Sequence, residues 1–194
     1  MLRIFRFDNT GVMEEVGEFK KKHSVCFPPE YKAFLFKYNG GDTINTYFKI
    51  NKISSDIRGL YGFGNAPENF NASVYDHSGM IEPFLAKGLF PIANDSLGNH
   101  ILIGIGERNR GEIYFFDHEK NTAGFIINNI ISFFMKIQSG EVAISSIEDR
   151  IKKREAKNLE VTGGLMRLWQ EEIDKYSGRK QETVEVYVER IYMK

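Results

Sequence analysis

The chain has 194 residues, 42% of them hydrophobic and 27% charged, a mix that suits one folded domain with an appendage. Its 26 basic side chains equal its 26 acidic ones, 15 of each sign up to residue 140 and 11 of each beyond, which excludes the basic excess of a general nucleic-acid binder. The single cysteine, Cys26, excludes an internal disulfide, and no apolar run reaches the roughly 18 residues of a membrane helix.

Met1–Thr10 carries Arg3 and Arg6 with no long apolar stretch behind them, so it does not read as a signal peptide. With the lone cysteine this places the protein in a reducing compartment, the cytoplasm. Val12, Val16 and Phe19, spaced i, i+4, i+7, predict an amphipathic helix that starts near Thr10 as N-cap. Lys20, Lys21 and Lys22 fall in its last turn, where the helix dipole favours cations. Phe27-Pro28-Pro29 opens a second helix with Tyr31, Phe34, Leu35 and Tyr38 as its buried stripe, and Asn39-Gly40-Gly41 closes it. Thr46–Ile50 reads as a strand. Residues 54–88 are loop-rich, with a short helix around Met80–Lys87.

A meander follows, with strands near Leu89–Ala93, His100–Ile105 and Glu112–His118 and a hairpin link from Gly106 to Gly111. Ile113, Tyr114, Phe115 and Phe116 make the third strand apolar on both sides, which suggests a central position. A helix is expected over Asn128–Ile137. Beyond Ser139 comes a charged helix (Ser146–Asn158), a break at Gly163-Gly164, and a helix with the apolar stripe Leu165, Leu168, Trp169, Ile173 and Tyr176. Val184, Val186 and Val188 then alternate with Glu185, Tyr187 and Glu189 as a strand.

Three blocks carry a family resemblance. Phe27–Leu35 with Tyr38–Gly41 looks like an LPxxYxxFLxxxNGG pattern. Pro91-Ile92-Ala93-Asn94-Asp95 with Gly98-Asn99 looks like PIAxDxxGN. Gly111–Glu119 looks like GxVYFWDHE, with Phe116 at the tryptophan position. Together, in this order, they resemble the SUKH superfamily over roughly residues 12–138. The resemblance implies an α+β fold, a mostly antiparallel sheet packed with helices, for a SUKH-like domain at 1–139. Residues 140–194 form a C-terminal helix-strand extension without counterpart in the family, expected to pack on the same domain. It also implies a non-enzymatic, protein-binding role: a bacterial, cytoplasmic immunity protein (antitoxin) that binds and neutralises a cognate toxin. A nuclease toxin is one candidate, since acidic loops could mimic nucleic acid, although the neutral net charge counts against it. The alternative is a regulatory interaction scaffold, as in the superfamily's fungal cell-wall-assembly relatives. No cofactor, nucleic acid or membrane partner is implied.

Each residue that could carry chemistry also has a plainer role. Asp117-His118-Glu119 resembles an acid–base or metal group, but neighbouring strand residues point to opposite faces. Asp76-His77 with His100 lacks metal-ligand spacing. A hydrolase built on Asp95, Asp117 and His118 is the weakest reading. Gly104, Gly106 and Gly111 fit a hairpin better than a phosphate loop. Cys26 with His23 is expected to be a buried cysteine beside a helix end, not a nucleophile and base. One geometric expectation remains. Antiparallel pairing gathers Asn94, Asp95 and Asn99 with Asp117, His118 and Glu119 at one sheet end, and Arg108 and Arg110 at the other. Asn94, Asp95, Asp117, His118 and Glu119 are therefore the candidate partner-binding residues, unless Asp95 and Asn99 merely close their turn. The apolar stripe of the tail is expected to fold back on the main sheet, with a homodimer interface through 165–188 as the alternative.

Overall fold

The computed structural model describes residues 1–142 and 144–186. It is an α+β structure in two compact units, Met1–Gly140 with the described part of Glu182–Lys194, and Glu141–Gln181. The first unit runs β1 (Arg3–Arg6), α1 (Val12–His23), α2 (Pro29–Tyr38), β2 (Gly41–Asp42), β3 (Thr46–Ile50), β4 (Ile53–Ser55) and β5 (Gly59–Leu60). A 3-10 turn at Glu68–Phe70 leads into α3 (Ala72–His77) and α4 (Glu82–Leu85). The meander β6 (Leu89–Asn94), β7 (His100–Gly104), β8 (Ile113–Asp117) and β9 (Thr122–Ile127) comes next, then α5 (Ile130–Lys136) and β10 (Gln138–Ser139). The second unit holds α6 (Ile147–Glu155) and α7 (Gly163–Tyr176), after which β11 (Glu182–Thr183) belongs to the first unit again.

The main sheet has eight strands in the order β11-β1-β2-β5-β6-β7-β8-β9, and a smaller one has the order β10-β3-β4. All these pairings are antiparallel. The core is aromatic. Phe19 of α1, Phe27 and Tyr31 at the start of α2, Phe63, and Phe90 of β6 bring their rings into mutual contact, with Phe27 and Phe90 centroids 4.8 Å apart. Burying rings of this size supplies most of the driving force for docking both helices.

Local details depart from the sequence reading in instructive ways. Helix α1 begins at Val12 with Gly11 as N-cap at φ 74°, because the Thr10 backbone N–H and hydroxyl both donate to Asp8 Oδ1 instead. Helix α2 ends on Asn39 at φ 51°, so the asparagine, not a glycine, takes the first left-handed position. Asn39 is fully buried and its side chain is used completely. Nδ2 donates to the carbonyls of Asp8 (2.7 Å) and Phe63 (2.8 Å), and Oδ1 accepts from the Phe63 N–H (2.8 Å). Gly40 (φ 80°) must be glycine for a second reason: a Cβ there would lie 2.5 Å from the Leu60 carbonyl oxygen. The Asn-Gly-Gly block thus fastens the end of α2 to two loops.

Helix α5 is capped by Asn129, whose side chain accepts from the Ser132 N–H. Ser146 caps α6 and Thr162 caps α7 in the same way, so Gly163 opens a helix where a break was expected. The strand of the tail lies earlier than the expected Val184–Val188: β11 at Glu182–Thr183 pairs with β1, residues 184–186 are not strand although the Val184 N–H donates to the Leu2 carbonyl (2.9 Å), and residues 187–188 lie outside the described residues. None of the described helices is long and apolar enough to cross a membrane.

Candidate functional site

The β6–β7 turn is built around one carboxylate. Asp95 Oδ1 accepts from the N–H groups of Leu97 (2.9 Å) and Asn99 (2.8 Å). Its Oδ2 accepts from Ser55 Oγ (2.7 Å) and Asn99 Nδ2 (2.8 Å). The backbone closes the same turn, the Asp95 N–H donating to the Asn99 carbonyl (3.1 Å), with Gly98 at φ 86°. Aspartate suits this position because a short acceptor side chain can bond its own backbone two residues on. Asp95 is only 2% exposed. It faces inward and organises the turn, and does not lie on the surface where a partner would meet it.

The structure brings the two loop ends together through Asn99. Its Oδ1 accepts from the His118 N–H (3.1 Å) and lies 3.0 Å from His118 Nδ1, an arrangement that favours the Nδ1–H tautomer. Asp117 turns elsewhere. It accepts from the Lys120 N–H (3.0 Å) and pairs with Lys120 Nζ (2.6 Å), and this lysine holds its carboxyl below the usual range. Asp117 and His118 therefore serve different neighbours and do not converge on one reacting centre. His118, Glu119 and Lys120 are exposed. Asn94 is half-buried, and its main chain pairs with β5.

The sequence reading missed Leu97. It stands 72% exposed at the tip of the turn, beside Ser96, whose N–H and hydroxyl donate to Asp56 Oδ1. The signal available was a single aliphatic residue inside the polar run Asn94–Asn99. Leu97, His118 and Glu119, in a polar setting that includes Asp56, Asp117 and Lys120, make a surface fixed by buried bonds and not by packing of its own.

The other candidates disperse. Asp76 pairs with Lys22 Nζ (2.6 Å) and approaches His23 Nε2 (2.8 Å), tying the end of α1 to α3. Burial pushes the Asp76 carboxyl up, and the Lys22 and His23 contacts outweigh it, leaving it below its ordinary value. His77 turns to the Ser73 carbonyl and His100 to Tyr61. Among the described residues no three His, Cys, Asp or Glu side chains gather as a metal cluster would. Gly104 is explained by the β7–β8 hairpin, where a Cβ would collide with the Asn109 carbonyl. Cys26, expected to be buried, is exposed. It sits in the short α1–α2 link, where Arg110 Nη2 reaches its Sγ (3.1 Å) and the Phe27 carbonyl (3.1 Å), and the guanidinium lowers the thiol's pKa.

His100 lies just behind the surface. Its ring stacks on Phe116 and meets Phe84 edge-on, with the Tyr61 hydroxyl 3.2 Å from Nδ1. Burial lowers its pKa; the Asp95 charge opposes this and His118 adds to it. A histidine depressed in the folded state contributes stability that is fully present above the unfolded value, about 6.5, and lost as pH falls below it. The melting temperature should therefore drop as the pH falls below about 6.5, and less steeply in His100→Gln. A pH profile of thermal unfolding for both proteins checks this; parallel profiles would refute it.

A sequence model of the SMI1 / KNR4 family (SUKH-1) matches residues 13–136. The match contains all three sequence blocks, the Asp95 turn and the His118 loop, and ends before the second unit begins. No curated protein matches the chain.

Proposed function

Since the chain belongs to the SMI1 / KNR4 family (SUKH-1), we propose that it works by binding another protein through the end of the sheet that carries Leu97, His118 and Glu119. The partner is a cognate bacterial toxin, and the protein is its cytoplasmic, non-enzymatic immunity partner, neutralising the toxin by covering its working surface. The observation that carries this reading is the buried Asp95–Asn99 network. It spends four hydrogen bonds to hold an aliphatic side chain out in water, next to polar groups. An exposed apolar centre with a polar rim is the anatomy of a protein–protein interface. Asn94 and Asp117 support this surface, Asn94 through its strand and Asp117 by fixing Lys120. No step of such a mechanism needs a cofactor, and the even charge distribution gives nucleic acid no general foothold.

The test uses the toxin encoded beside this chain's gene. Leu97→Asp and Glu119→Lys should each weaken binding, Leu97→Asp by at least about tenfold, with the melting temperature unchanged, since both side chains are exposed. Calorimetric titration reads the affinity. If both variants bind as the parent does, the surface lies elsewhere.

A regulatory scaffold is the second reading, and one observation favours it. In the second unit none of the described residues is buried, and Leu168 (62%), Leu159 (47%) and Met166 (39%) are exposed on or beside its helices. Capture of a partner that is lost in Leu168→Asp and kept in Leu97→Asp would favour the scaffold.

A further inference from the structure

The second unit, Glu141–Gln181, lies outside the residues that the family model matches. Its two helices run antiparallel as a hairpin. At the base the Val142 N–H donates to Gln181 Oε1 (3.3 Å). Midway along, Arg150 of α6 pairs with Glu172 of α7 (2.6 Å) and lies 5.9 Å from the centre of the Trp169 ring. Main-chain groups fix the turn at the far end. Arg154 Nε and Nη2 both donate to the Glu160 carbonyl (3.0 and 2.9 Å), the Leu159 N–H donates to the Arg154 carbonyl (3.0 Å), and Asn158 at φ 52° reverses the chain. Charge is divided along the hairpin. Beyond the Arg150 crossing, residues 151–168 carry five cations, Lys152, Lys153, Arg154, Lys157 and Arg167, against two carboxylates, Glu155 and Glu160. The rest of the unit carries four cations against six carboxylates. Lys152, Lys153, Lys157 and Arg167 are exposed and make no ion pair among the described residues. The same end holds every exposed large hydrophobic side chain among the described residues of this unit, Leu159 (47%), Met166 (39%) and Leu168 (62%).

We propose that this basic, apolar turn binds the surface of a membrane rich in anionic phospholipid. The combination of side chains favours lipid. A protein interface is depleted of lysine at its apolar centre. A nucleic acid or an acidic protein surface calls for the cations and has no use for the exposed aliphatic groups beside them. A bilayer surface takes both: phosphates meet the ammonium groups while aliphatic side chains enter the acyl boundary below. The dimensions agree. From Thr162, the N-cap of α7, to Leu168 the helix rises about 9 Å, within the roughly 5–10 Å to which interfacial helices sink their apolar side chains. Each cation near an anionic surface strengthens binding about fivefold. Cations and aliphatic groups act together here, so the contact is peripheral, reversible and weakened by salt. It needs no spanning helix and does not use the partner surface at Leu97.

Co-sedimentation of the full chain with vesicles tests it, using phosphatidylcholine alone and phosphatidylcholine mixed with phosphatidylglycerol. The parent should bind the mixed vesicles and not the neutral ones, and raised salt should release it. Lys152→Gln, Lys153→Gln and Lys157→Gln combined should weaken binding about a hundredfold, to the level of the neutral vesicles. Leu159→Asn with Met166→Gln, which changes no charge, should weaken it at least about tenfold. Both variants should keep the parent's helical circular dichroism, since all five side chains are exposed. Leu97→Asp should bind vesicles as the parent does. A parent that ignores the anionic vesicles overturns the proposal. So does binding that survives either set of substitutions. Binding to polyglutamate or RNA as tight as to the mixed vesicles also overturns it, and assigns the turn to an acidic protein or a nucleic acid instead.

Discussion

Asp95→Ala is expected to destabilise the protein and to abolish partner binding together. Four donors lose a charged acceptor, and the Asn99 N–H and side-chain amide are buried, so water cannot replace it. The loss should be about 3–4 kcal/mol, a fall in melting temperature of roughly 10 °C for a chain of this size. Asn99 would then be free to turn, releasing His118, and Leu97 would lose its fixed direction. Asp95→Asn separates the two effects. It keeps the shape but turns an amide N–H₂ either on Ser55 Oγ and Asn99 Nδ2 together or on the N–H groups of Leu97 and Asn99, so it should fall between the parent and Asp95→Ala in both thermal unfolding and toxin titration. An Asp95→Ala variant that melts within about 1 °C of the parent would mean that the turn does not depend on this carboxylate.

Asn39→Leu should be as damaging to stability by a different route. Leucine nearly conserves the volume but strands the carbonyls of Asp8 and Phe63 and the Phe63 N–H, and it must adopt φ near 51°. Three unpaired backbone groups at about 1 kcal/mol or more each give at least about 3 kcal/mol, with left-handed strain added. Asn39→Gly removes the strain and keeps the unpaired groups. If denaturant unfolding finds the two variants equal, the bonds dominate; if glycine restores stability, the backbone does.

These positions show where sequence reasoning holds and where it stops. The apolar stripes of α1 and α2 and the β6–β8 meander follow from periodicity because each buries a regular face, whereas the stripe of α7 is regular in sequence but has no buried residue. The pairing of Asn99 with the His118 loop follows from antiparallel geometry once the meander is drawn. β9 was not read as a strand, since Thr-Ala-Gly-Phe on an exposed edge has neither alternation nor strong propensity. β2 and β5, two residues each, exist only because distant strands meet there. Asp95 was legible as a turn residue, but whether its charge faced water or the protein depended on Ser55, forty positions away. Cys26 failed for the same reason, its neighbour Arg110 coming from the far hairpin. Leu97 escaped because a lone aliphatic in a turn has no periodicity to reveal it.

The clasp at the base of the second unit bears on how this chain can change length. The Val142 N–H donates to Gln181 Oε1 (3.3 Å), so the two ends of the 141–181 excursion lie side by side. Closing a loop costs free energy only logarithmically in its length, and shortening this one to about five residues alters that cost by only about 2 kcal/mol. The sheet can therefore accept segments of widely different size at this point while β11 still returns to β1. Residues 141–181 behave as a cassette: a place where the sequence is free to gain, lose or exchange a helical pair without renegotiating the fold that carries it.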